Sequence, residues 1–165
     1  MLESILVFLP FVFLAAGATS DAATMTIPNW VSIGLSLLFV PVALVLGLGW
    51  GEIGMHMLIG FAVFAACVGL FYLNVFGGGD AKLIPAVAIW FGWPGLVSFL
   101  FWMAVYGGAL AASVLIARRL MPSPAGAPEW ARRVLDPAEG VPYGLAIAAG
   151  AVTAWAAMPL MGRIL

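Results

Sequence analysis

Stretches of about 18 or more predominantly apolar residues, long enough to cross the hydrocarbon core of a bilayer as a helix, recur along this chain. They run from Leu2 to Ser20, Trp30 to Leu48, Met55 to Asn74, Gly95 to Ala117 and Val141 to Met161. Such a pattern folds as a bundle of membrane-spanning helices. Composition agrees: 65% of the 165 residues are hydrophobic and 8% charged, which leaves too few charges to coat a soluble domain of this size. A soluble globular protein, a disordered chain and a basic nucleic-acid binder are thereby excluded, and the lipid bilayer is the expected surrounding. The single cysteine, Cys67, lies within an apolar run, so neither an intrachain disulfide nor a CxxC zinc pair can form.

Between the third and fifth runs lies a shorter apolar piece, Ala81 to Phe91, closed by Gly92-Trp93-Pro94-Gly95. As a helix it spans roughly 17 Å, against a hydrocarbon core of about 30 Å. The expected fold is therefore all-α: a polytopic membrane protein, a bundle of six helices with a short fourth helix. Residues 1–165 form one membrane domain without an internal repeat. Leu2 to Ser20 resembles a signal peptide in hydropathy but carries Glu3 and precedes any cation, the first being Lys82. It is expected to be retained as a helix.

Positive charge sets orientation. Arg118, Arg119, Arg132 and Arg133 fall in the one long loop, 118–140, which is expected to be cytoplasmic. Counting back over six helices puts the loops at 21–29 and 77–80 on the cytoplasmic side, the loop holding Glu52 and the 92–95 turn outside, and both termini outside. Only Arg163 breaks the rule. Within the long loop, Glu129 to Leu135 reads as a short interfacial helix with Trp130 at headgroup level.

Position sorts the seven acids. Glu3, Glu52, Glu129, Asp136 and Glu139 fall at the chain end or in loops, where water solvates them. Asp21 and Asp80 each stand where an apolar helix meets a loop on the same side, and charge at or inside a bilayer is costly and usually functional. Asp80 closes Phe76-Gly77-Gly78-Gly79-Asp80-Ala81-Lys82, where three glycines bare the backbone and permit positive φ. If the Pro94 end of the short helix reaches the outer interface, its Asp80 end stops about 13 Å short of the inner one, placing Asp80 in a pocket within the membrane. Asn29 is expected to N-cap the second helix. Two carboxylates at one end of a bundle suggest a dyad. Like charges a few ångströms apart cannot both ionise easily, so one keeps a proton. One group then activates water and the other protonates the carbonyl oxygen of a scissile peptide.

Gly77-x-Gly79-Asp80 followed by Lys82, with Asp21 and Ile27-Pro28-Asn29 upstream, resembles the type IV prepilin peptidase family, polytopic aspartyl proteases of the GxGD class. The chain length and Val141-Pro142-Tyr143-Gly144 at the start of the last helix most resemble the short CpaA/TadV-type members of Flp (Tad) pilus systems. The resemblance implies that Asp21 and Asp80 are the catalytic pair and that Gly77 and Gly79 shape the loop aiming Asp80. It implies a prepilin substrate, a membrane-embedded helix whose leader is cut at the cytoplasmic face of the bacterial inner membrane. It implies no organic cofactor, and no metal is inferred. Longer members carry a domain with paired CxxC motifs and also methylate the new N-terminus. This chain has one cysteine and no such domain, so the resemblance does not extend to methyl transfer. Many members also carry basic residues between the first Asp and Ile-Pro-Asn, where this chain has Ala22, Ala23, Thr24, Met25 and Thr26.

Other residues have simpler expected roles. Lys82 either supports Asp80 or the substrate, or anchors the helix at the interface; residues two apart do not share a helix face. His56 is expected near the outer end of the third helix, in a capping or interface role. The seven tryptophans mostly fall near expected helix ends, as interfacial belts require. Gly107-Gly108 and Ala111-Ala112 are expected to let helices pack closely. Two rival functions share the same composition. A small ion- or proton-coupled transporter would place its acids near the midplane, often in repeated halves. A non-catalytic pilus-assembly subunit would tolerate loss of either Asp.

Overall fold

A computed structural model describes residues 2–120, 126 and 128–155. Its regular elements are helices in the order α1 (Leu2–Thr24), α2 (Asn29–Val45), α3 (Trp50–Tyr72), α4 (Asp80–Leu120), α5 (Glu129–Leu135) and α6 (Gly144–Ala154). Helices α3 and α4 are long and apolar enough to cross a membrane. The expected fourth and fifth helices are two arms of α4, residues 80–91 and 93–120, separated at Gly92, whose φ of 56° and ψ of −168° break the helix. That combination is open essentially to glycine alone. The expected sixth helix is α6, and α5 coincides with the short helix expected at Glu129 to Leu135. Arg163 and the expected end of the last helix at Met161 lie outside the described residues.

The first arm of α4 is the centre of the bundle. Ala81 and every residue from Leu83 to Gly92 are buried, so this arm is apolar all round because it is packed all round. Trp90, Phe91, Leu83 and Ile84 meet Val31, Leu35 and Phe39 of α2, Phe99 of the second arm and Ile147 of α6 in one apolar core. Trp90 hides its indole N–H by donating to the Leu35 carbonyl at 3.1 Å. It is thus a core residue, not part of an interfacial belt, and Trp155 is buried as well. Trp30, Trp50, Trp93 and Trp130 are exposed, as expected of belts.

His56 serves the capping half of its expected role, but from a buried position and on a neighbouring helix. It is buried, stacks on Phe39 at 5.1 Å between ring centroids, and donates from Nδ1 to the Ile89 carbonyl at 2.6 Å. A helix interrupted at Gly92 needs a partner for the carbonyls of its last turn, and His56 provides one from the neighbouring helix. The second arm of α4 carries α6. The two pack so closely that a Cβ at Gly150 would lie 2.6 Å from the Met103 backbone nitrogen. Glu52 belongs to the first turn of α3, where its carboxylate accepts the Gly49 N–H at 2.9 Å. Glu129, in α5, pairs with Arg133 at 2.6 Å, which holds its carboxyl below the ordinary range. Exposed pairs of this kind stabilise little.

Candidate active site

Asp21 lies in the last turn of α1, because the helix continues past Ser20 to Thr24. Two features end it there. Met25 takes a left-handed φ of 54° while its N–H still reaches the Asp21 carbonyl at 2.8 Å. Ser20 and Thr24 hydroxyls bond the Thr26 carbonyl and the Ser20 carbonyl, folding the chain back toward Ile27. As a result Asp21 is only 6% exposed, although a carboxylate next to a loop would ordinarily be solvated. Its Oδ2 accepts the backbone N–H of Gly144, the first residue of α6, at 2.7 Å.

Asp80 is the first residue of α4, where the unpaired amides and dipole of a helix favour a carboxylate. The loop before it is built for close approach, not for positive φ. Gly77, Gly78 and Gly79 all keep negative or extended φ, and the left-handed residue is Asn74, at 56°. A Cβ at Gly77 would lie 3.1 Å from Asp80 Oδ2, and one at Gly79 would lie 3.1 Å from Cβ of Ile27. The two glycines flanking Gly78 therefore let the Asp80 carboxylate fold over its own loop and let that loop press on the Ile27-Pro28-Asn29 segment.

The two carboxylates line one cavity of about 880 Å³. Its wall comes from the end of α1, the 74–80 loop, Lys82, Ala111 and the segment 139–143. The cavity thus joins Asp21 and Asp80 across 59 residues of sequence, at one end of the bundle. Asn29 is the first residue of α2 rather than its cap, a place taken by Pro28. Its side chain instead accepts the Lys82 ammonium at 3.0 Å. Lys82 makes no ion pair with Asp80 among the described residues. It also lines a second recess, of about 560 Å³, a mostly apolar groove between α2 and α3 that is floored by the first arm of α4. Cys67 and His56 lie outside the cavity lining, and no cluster able to hold a metal ion occurs among the described residues.

The sequence alone left Glu139, Tyr143 and Gly144 out of the site. Glu139 and Tyr143 line the cavity, and Gly144 binds Asp21. Arg118, read only as a topology charge, reaches across from the last turn of α4. Its Nε donates to the Val134 carbonyl, and its Nη2 donates to the carbonyls of Glu139 and Gly140, at 2.8 to 3.0 Å. This clamp returns the long loop to the cavity rim. The Pro142-Tyr143-Gly144 sequence was a signal for a helix start, but not for what the start would touch.

Residues 8–112 match the type IV leader peptidase family. No curated protein and no solved structure matches the chain.

Proposed function

Because the chain belongs to the type IV leader peptidase family, and is therefore a peptidase of that kind, we propose that it is an aspartyl endopeptidase that removes the leader from prepilins. In this reading Asp21 and Asp80 are the catalytic dyad, working at the cytoplasmic face of the inner membrane in a Flp-type pilus system. The observation that carries it is the shared cavity: two carboxylates from helices distant in sequence line one space of about 880 Å³. One carboxylate takes a proton from water as the oxygen attacks the scissile carbonyl carbon. The other, protonated, gives its proton to the carbonyl oxygen. Collapse of the tetrahedral intermediate breaks the C–N bond as the first group protonates the amine and the second takes back a proton from a hydroxyl of the intermediate. In this reading the two carboxylates share one proton and titrate as a pair, so the rate is expected to be bell-shaped in pH, with both limbs set by the pair.

The apolar groove supports a membrane-embedded substrate. Lys82 lines both groove and cavity, so a helix resting between α2 and α3 would deliver the polar segment at its end to the dyad. Both acids sit at one end of the bundle, which disfavours an ion relay through the midplane. Asn29 and Lys82 in this reading support the peptide at the junction of the two recesses.

The test is cleavage of a co-expressed prepilin by wild type, Asp21→Asn and Asp80→Asn, at equal amounts in the membrane. Asn keeps the shape but cannot cycle a proton. Each variant is expected to lose at least about 100-fold in rate. A variant that cuts at near the wild-type rate makes that Asp structural and ends the dyad mechanism.

A further inference from the structure

The family match ends at residue 112, yet the hydrogen bond that orients Asp21 comes from beyond it. We propose that the Tyr143-Gly144 corner, seated on Gly107, is a positioning element for Asp21: it holds Oδ2 and leaves Oδ1 to meet the attacking water. The inference rests on the dyad reading above and adds to it a third part of the site.

Three features of the corner converge. The Gly144 N–H belongs to the first turn of α6, where a helix has donors without intrahelical acceptors, and the Asp21 carboxylate takes it at 2.7 Å. Residue 144 has no room for a side chain, since a Cβ would lie 2.9 Å from Asp21 Oδ2 and 3.0 Å from its Cβ. Tyr143 fixes the corner from the other side. Its ring faces Phe76, in the loop before Asp80, at 6.4 Å between centroids, and its hydroxyl and ring lie where a Cβ on Gly107 would project. The corner therefore touches both carboxylate-bearing segments. Gly108, one residue along, faces open space and supplies a matched control.

Steady-state cleavage of a prepilin by wild type, Gly144→Ala, Gly107→Ala and Gly108→Ala tests this. Folded protein in the membrane is quantified for each, and Asp21→Asn is run as the inactive reference. Gly144→Ala displaces the carboxylate directly. Gly107→Ala displaces it through the Tyr143 ring, whose atoms are the nearest to the new Cβ. A lost hydrogen bond to a charged group, or a small misplacement of a reacting group, lowers turnover by about 10- to 100-fold. Both variants are expected to lose kcat by that factor while KM stays within about twofold; Gly108→Ala is expected to match wild type. Unchanged kcat per folded molecule in Gly144→Ala and Gly107→Ala, a loss confined to KM, or an equal loss in Gly108→Ala overturns the proposal. If Gly144→Ala does not accumulate, the Gly107→Ala and Gly108→Ala pair decides alone. A wild type no faster than Asp21→Asn instead overturns the peptidase dyad itself.

Discussion

Gly78 and Gly79 are neighbours in the loop before Asp80, but they have different reasons to lack a side chain. A Cβ at Gly79 would press on Ile27 at 3.1 to 3.4 Å, whereas one at Gly78 would meet Phe71 at an ordinary 3.5 Å. Ile27 is buried in the core and cannot give way freely. Gly79→Ala is therefore expected to shift the Asp80 carboxylate and lower kcat by about 10-fold or more. Gly78→Ala is expected to stay within about twofold, as read by prepilin cleavage at matched protein levels. Of the two reasons read from the glycine run, the bared backbone is the operative one and freedom for positive φ is not. Asn74 and Met25 hold that backbone conformation instead. Crowding between residues as far apart in sequence as Ile27 and Gly79 has no signature in either segment alone.

At the scale of the element, the break in α4 and its partner on α3 behave as one unit. Gly92 adopts a backbone conformation that costs other residues about 1–3 kcal/mol, and a Cβ there would lie 2.6 to 3.0 Å from the His56 ring. Gly92→Ala is expected to destabilise the protein by about 2 kcal/mol or more, measured by reversible denaturation in detergent. His56→Ala leaves the Ile89 carbonyl buried without its donor, at a cost of about 1–3 kcal/mol. The double variant is expected to cost less than the sum, because removing the ring makes room for the new Cβ. Additive losses would show that the contact between ring and break carries no energy. The Gly92-Trp93-Pro94-Gly95 motif made the break legible. His56 was not legible as its partner, because one histidine among apolar residues says nothing about which carbonyl it will meet.

Across the whole molecule, the cavity and groove meet at Lys82. If a substrate helix lies in the groove, a cysteine at Phe61 is expected to crosslink to a cysteine in that helix. The background would be Asp80→Asn with Cys67 replaced by Ala, so that no other thiol competes. A cysteine at Val97, exposed on the second arm of α4, is expected not to crosslink. Equal crosslinking from both sites would place the substrate elsewhere on the bundle.

The sequence by itself determined that the chain is an all-helical bundle of apolar segments, that its fourth apolar piece is cut short, and that Asp21 and Asp80 stand apart from the other acids. Those properties follow from hydropathy, length and a glycine-rich break, which are local and additive along the chain. Tertiary structure alone decided that the short arm is the buried centre, that α1 continues far enough to bury Asp21 against Gly144, and that Glu139, held through its carbonyl by Arg118, lines the cavity. These depend on which helices become neighbours, a choice made by the fit of whole apolar faces. An arginine in a charge cluster or a glycine at a helix start acquires its role only once that fit has brought it to another segment's open hydrogen bond.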